Sequence, residues 1–134
     1  MLIRYLKHSI FALSLALVAS PAWSAEPKPL TYDELDELVY NKTADCRKEK
    51  DQSECVNFFS EEGELAQVMK DDGKRKDGRW FLDDSDRLCI LWNGKTKPLC
   101  FSVIKNADGT YKMLKHGKHI SSILNISAGN RDNL

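Results

Sequence analysis

The chain has 134 residues, with 20 Lys+Arg set against 20 Asp+Glu. That length makes one small domain, and the even balance of signs excludes the dense basic stripe that nucleic-acid binding requires. The one basic cluster, "GKRKDGR", is diluted by Asp71, Asp72 and Asp77 and reads as a solvated turn.

Residues 1–8 carry Arg4 and Lys7 and no acid, residues 9–20 are the apolar run "SIFALSLALVAS", and small residues follow in "PAWSAEP". This is the pattern of a secretory signal peptide spanning residues 1–24 and cut after Ser24, with Ala22 and Ser24 at the two small-residue positions. The apolar run is shorter than the roughly 20 residues needed to cross a bilayer, so no stable membrane insertion is expected after cleavage. The expected location is periplasmic or secreted. Cleavage removes two basic residues and no acid, which leaves a net charge of about −2.

Residues 25–126 read as one β-rich domain and residues 127–134, "SAGNRDNL", as a flexible polar tail. A helix opens the domain. Thr31 and Glu34 form a capping box, and Leu30 and Leu35 form a hydrophobic staple across it. Tyr32, Leu35, Leu38 and Val39 then share one apolar face, and Asn41 is the stop. The pattern changes to short strands near residues 42–46, 55–60, 65–70, 79–83, 88–92, 99–105, 110–116 and 119–126. Between them, "EEGE", "KDDGK", "DDSD", "NGKT" and "NADG" carry turn chemistry. The fold class is mainly β (α+β): an antiparallel meander or small barrel with one N-terminal helix.

Cys46, Cys55, Cys89 and Cys100 are four cysteines in an exported small domain, an even count that reads as two disulfides. Three pairings are possible, and the sequential one fits the turn signals best. With residues 93–96 as a four-residue hairpin loop, Trp92 pairs with Lys97, Ile90 with Leu99, and Cys89 with Cys100. Pro98 argues against an extended register there. One face of this hairpin carries Leu88, Ile90, Trp92, Leu99, Phe101 and Val103 and is core. The other holds the disulfide, and the N-terminal helix is a candidate cover for it. Pairing of Cys46 with Cys55 places Asp45 opposite Val56 and Thr43 opposite Phe58. The gaps between cysteines are too long for the usual zinc pairs.

The motifs "LTYDELDELVYNKT", "FFSEEGEL", "DGRWFLDDSDRLCILW" and the cysteine of "KPLCFSVIKNADGTY" together resemble a family of small exported proteobacterial proteins described as a domain of unknown function. The resemblance covers most of residues 30–115. It implies export and architecture and brings no catalytic residues. Cys46 and Cys55 stand outside that pattern.

Two histidines follow the leader, His116 and His119. A two-residue turn at Gly117–Lys118 sets them opposite each other on an exposed face that also carries Ser121 and Ile123, with Ile120 and Leu124 on the buried face; the two are weak candidates for a metal site, since catalytic zinc uses three protein ligands. The acid clusters match no calcium loop, and no G-x-S-x-G motif is present. Trp80 and Trp92 are core in a closed meander. In an open sheet they line a groove with Arg79 at its rim, and these three are the candidate ligand-binding residues. The leading expectation is a non-catalytic binding protein for a small ligand or an envelope protein, without a cofactor. The alternatives are an inhibitor of an extracytoplasmic hydrolase, with the loop at residues 47–54 as the contact, and a small hydrolase or metal-binding protein using His116 and His119.

Overall fold

The computed structural model describes residues 16–17 and 27–134; apart from residues 16–17, the expected leader, with its cut after Ser24, lies outside the described residues. Helix α1 (Tyr32–Val39) precedes eight strands: β1 (Lys42–Lys48), β2 (Glu54–Phe59), β3 (Glu64–Met69), β4 (Arg75–Asp83), β5 (Arg87–Trp92), β6 (Leu99–Lys105), β7 (Tyr111–Lys115) and β8 (Lys118–Ala128). Each strand pairs antiparallel with the next, and β8 returns to β1, so the sheet is a closed up-and-down barrel.

All eight expected strands are present. The largest difference is at β4, which begins at Arg75, inside the run read as a solvated turn. Arg75, Lys76 and Asp77 pair with Val68, Gln67 and Ala66. Neighbour pairing overrides the weak strand preference of charged residues, and Arg75 and Asp77, two apart on one face, form an ion pair at 3.0 Å.

The capping box of α1 is formed in both directions: Glu34 N–H donates to Thr31 Oγ1 (3.3 Å) and Thr31 N–H to Glu34 Oε1 (3.1 Å). Asn41 ends the helix with a left-handed φ of 52°. Leu35 and Val39 are fully buried, whereas Tyr32 is 46% exposed and leaves the expected apolar face. The helix does not cover the Cys89–Cys100 face. It plugs one end of the barrel, packing on β1, β4 and β5, and Leu35 and Val39 join Phe59, Leu65, Trp80, Leu88 and Val103 in the core. Leu30 N–H donates to Val103 O (2.8 Å) and Tyr32 N–H to Asp86 Oδ1 (2.8 Å), which ties the plug to the rim.

Both disulfides have the sequential pairing, and both join directly opposed residues, Cys46 with Cys55 and Cys89 with Cys100. The Asp45–Val56 and Thr43–Phe58 pairs are as expected. The β5–β6 ladder, by contrast, stops at Ile90–Leu99. Pro98 has no N–H to donate, and Trp92 turns instead to Gly78 of β4. Beyond that point the hairpin spreads.

Residues 127–134 are not a loose tail. Ala128 still belongs to β8, Gly129 N–H donates to Asn41 O (2.8 Å), and Thr43 Oγ1 donates to Gly129 O (2.7 Å) and accepts from Arg131 N–H (3.1 Å). The Arg131 guanidinium clasps Asp45 with two bonds of 3.1 Å, the strong bidentate arrangement. Lys70 adds an ion pair at 3.3 Å.

Two outcomes are expected. Replacing both Cys89 and Cys100 by Ala lowers stability by about 3 kcal/mol on the loop-entropy relation, read as a drop of roughly 10–20 °C in thermal midpoint. The Arg131 hydrogen bonds hold the Asp45 carboxyl below the usual range, against the opposing effect of its partial burial, with Lys70 helping. A depressed carboxyl contributes stability above its unfolded value, about 3.9, that is lost as pH falls through the folded value. Asp45→Asn therefore costs about 1 kcal/mol at pH 7, and denaturation curves of variant and parent converge below about pH 4.

Candidate functional site

An eight-stranded barrel has an interior that side chains fill or that holds one small ligand. Here the two ends differ. At the α1 end, Leu35 and Val39 of the helix pack against large inward side chains and are fully buried. Trp80 lies there, 8% exposed, edge-on to Phe59 with ring centroids 5.8 Å apart, and its indole N–H donates to Ser60 O (3.0 Å). It is a satisfied core residue.

The opposite end is open and leads into a cavity of about 250 Å³. Its floor and walls are apolar: Ile90, Leu99, Phe101, Met113, Ile120 and the ring of Trp92. Gly78 makes room for that ring, because a Cβ at this position would lie 2.6 Å from Leu91 O and 3.1 Å from Trp92 Cε3. Two inward amides, Asn57 and Gln67, give one wall polar character; Gln67 Nε2 donates to Asn57 Oδ1 at 3.0 Å. Cys55 lines the same wall, so the Cys46–Cys55 disulfide is internal.

The mouth is ringed by cations. Lys48 and Lys50 come from the end of β1 and the loop after it, and Lys76 from the start of β4. The Lys76 ammonium sits 5.0 Å from the centroid of the Trp92 ring, within cation–π range. Partial burial presses Lys76 below the ordinary lysine range, and repulsion from Lys48 and Lys95 adds to this. The acids of the adjoining loop make their hydrogen bonds elsewhere, although the charges of Lys48 and Lys50 act on the Asp51 carboxylate. Asp51 accepts from Ser53 N–H and Oγ–H (3.0 and 2.6 Å), and Glu49 approaches Ser122 and His119 (3.4 and 3.6 Å).

The three expected ligand-binding residues are thus separated. Trp92 lines the cavity and Trp80 lies deep in the core. Arg79, on the other face of β4, borders a more polar external groove over β2–β4. The histidines are not opposed. The turn is at His116–Gly117, both with positive φ (49° and 77°), as a tight hairpin turn requires. His119 therefore faces Leu114 and contacts Ser122 Oγ at 2.8 Å. Ser122 is 4% exposed, and it is Ser121 that lines the cavity, so no substrate space adjoins the Ser122–His119 pair there. Asp83 lies near both sulfurs of Cys89–Cys100, but these sulfurs are bonded to each other and the carboxylate is held by Arg87 (2.7 Å), leaving no free ligand set for a metal.

Sequence reasoning placed Lys48 and Lys50 only in the candidate protein-contact loop at residues 47–54, not at a cavity mouth, and missed Lys76. The signal was the alternation Lys76, Gly78, Trp80, Leu82: extending that strand backwards by its period of two places Lys76 on the inner face.

Compared with known proteins, the chain matches no family model, no curated protein and no solved structure. Its two formed disulfides fit maturation outside the reducing cytoplasm. No helix among the described residues is long and apolar enough to cross a membrane.

Gly78 offers a direct test of how the cavity wall is built. Gly78→Ala is expected to cost about 1–3 kcal/mol through overpacking and to displace the Trp92 ring. In a two-dimensional NMR spectrum the Trp92 indole signal then moves strongly and that of Trp80 little.

Proposed function

We propose that the protein is a non-catalytic binding protein of the periplasm or extracellular space that holds a small, largely apolar ligand inside its barrel. The observation that carries this reading is the asymmetry of the interior. One end is closed by α1, whose Leu35 and Val39 are fully buried, while the other keeps a largely apolar cavity of about 250 Å³ open to solvent. Trp92, Leu99 and Ile120 are left only partly buried at this end, over Ile90, Phe101 and Met113, and they present apolar surface that a ligand would cover. The lining, apolar walls with a few convergent polar groups, is the usual composition of a ligand site. The volume lies just under the common range of about 300–1,000 Å³, which favours a ligand of modest size over a long lipid. The secretory leader pattern, the paired cysteines and the resemblance to exported proteobacterial proteins support the location.

Native mass spectrometry of the protein purified from its exporting cell tests the reading. The expected spectrum shows a species heavier than the bare chain by the mass of one small molecule, and this species disappears when Met113→Trp fills the cavity. Under denaturing conditions, reduction adds about four mass units, the signature of two disulfides. A bare chain that also shows no tryptophan or NMR response to small apolar probes would overturn the ligand-binding reading.

A further inference from the structure

We infer that the ligand carries an acidic group, a carboxylate or a phosphate, which sits between Lys48, Lys50 and Lys76 while its apolar body enters the cavity against Ile90, Phe101 and Met113. This inference rests on the ligand-binding reading above and goes beyond it by fixing the chemistry of the head group.

Three observations support it. First, among the described residues the cavity's charged lining has one sign: three lysines and no carboxylate. Second, the loop acids Glu49 and Asp51 make their hydrogen bonds elsewhere and do not line the cavity, although the charges of Lys48 and Lys50 act on the Asp51 carboxylate. Asp51 is taken up by Ser53, and Glu49 by Ser122 and His119. Third, burial and, after it, the charges of Lys48 and Lys95 disfavour the charged form of Lys76, and Lys95 and Lys97 stand beside Trp92 and Leu99 on the outer lip. Converging like charges at the mouth of a low-dielectric cavity are a standing cost that an anion relieves, and such a field also draws anions in from solution. A cationic ligand is disfavoured by the same field. The Trp92 ring under Lys76 fixes the position of one ammonium over the entrance. Deeper in, the Asn57–Gln67 pair offers hydrogen bonding to a polar atom on the ligand's flank.

The size of the cavity sets the body. At about 30 Å³ for each small heavy-atom group, the volume share of a water molecule, roughly eight groups fit. Octanoate, octyl phosphate, 1-octanol and octyltrimethylammonium therefore make a matched probe set, titrated into the full chain after any bound molecule is removed by unfolding and refolding with the disulfides intact. Octanoate or octyl phosphate is expected to bind at least 10-fold tighter than 1-octanol, with affinity falling as salt rises. Whichever of the two binds tighter identifies the head group. The ammonium should not bind. In the triple variant Lys48→Gln, Lys50→Gln, Lys76→Gln the preference should vanish while 1-octanol affinity stays within about twofold, which shows that the barrel is still folded and the cavity intact. Equal binding of octanol and octanoate would overturn the acidic head group, and an acid preference that survives the triple variant would overturn its seat between the three lysines; either result leaves the cavity reading standing. Failure of all four probes to bind the parent chain would instead overturn the cavity reading itself.

Discussion

Pairing of β8 with β1 is the contact on which the rest of the structure depends. An open eight-stranded meander has two edges with unpaired N–H and C=O groups and an inner face exposed to water. Closure removes both edges and converts that face into an interior. The β1–β8 ladder achieves this with irregularities in β8. Opposite β7, Ile120 is an extra residue between His119 and Ser121; opposite β1, Leu124 is an extra residue between Ile123 and Asn125. Each bulge bends the strand and increases its twist, which is what a strand needs to meet a partner from the far side of the sheet. The C-terminal segment then clamps the seam. Thr43 and Asp45 on β1 are held by Gly129 and Arg131 immediately after β8.

Closure alone leaves a tube with two mouths, and the sequence treats them differently. At one end Phe59, Leu65, Trp80, Leu88 and Val103 converge, and α1 adds Leu35 and Val39. At the other, the inward positions are Asn57, Gln67, Lys76, Trp92 and Leu99, polar or only partly buried. Among the described residues, no helix packs at that end. The same alternation that builds the core therefore ends in a polar, cationic entrance, and the change from one to the other occurs within single strands: from Trp80 to Lys76 along β4, and from Phe59 to Asn57 along β2.

Much of this was legible in the sequence. Periodicity and turn residues gave the eight strands, the capping box gave the helix, and hairpin geometry gave both disulfide pairings together with the Asp45–Val56 register. What was not legible depends on contacts distant in sequence. The tail was read as loose because "SAGNRDNL" is polar, but its anchor is a carboxylate 86 residues away. The start of β4 was read as a turn because its residues are charged, and only pairing with β3 makes them a strand. The faces of β8 were misassigned because a bulge shifts the alternation without leaving a local mark. Ile123, expected on the exposed face, is 1% exposed, and Ile126 rather than Asn125 is the next inward residue, opposite Ala44. Of the candidate site, Trp92 was visible as an aromatic on the inner face. The lysine ring was not, since its members meet only when β1 and β4 are brought round the same mouth.

The positions of the two disulfides become intelligible in the same frame. Both lie on hairpins that open towards the cationic mouth. The β1–β2 hairpin ends in the loop carrying Lys48 and Lys50, and Cys46–Cys55 ties the strands just before that loop. In the β5–β6 hairpin the ladder is lost after Ile90–Leu99, so that Trp92 and Leu99 separate to flank the entrance, and Cys89–Cys100 ties the strands one pair further in. A hairpin that gives up ladder hydrogen bonds at its tip loses register control there. A covalent link one pair inside the last paired positions restores that control without filling the space between the tips. One staple is internal and the other lies on the opposite face of the sheet, so they share no common core position. What they share is the boundary between the packed part of the barrel and the part left open.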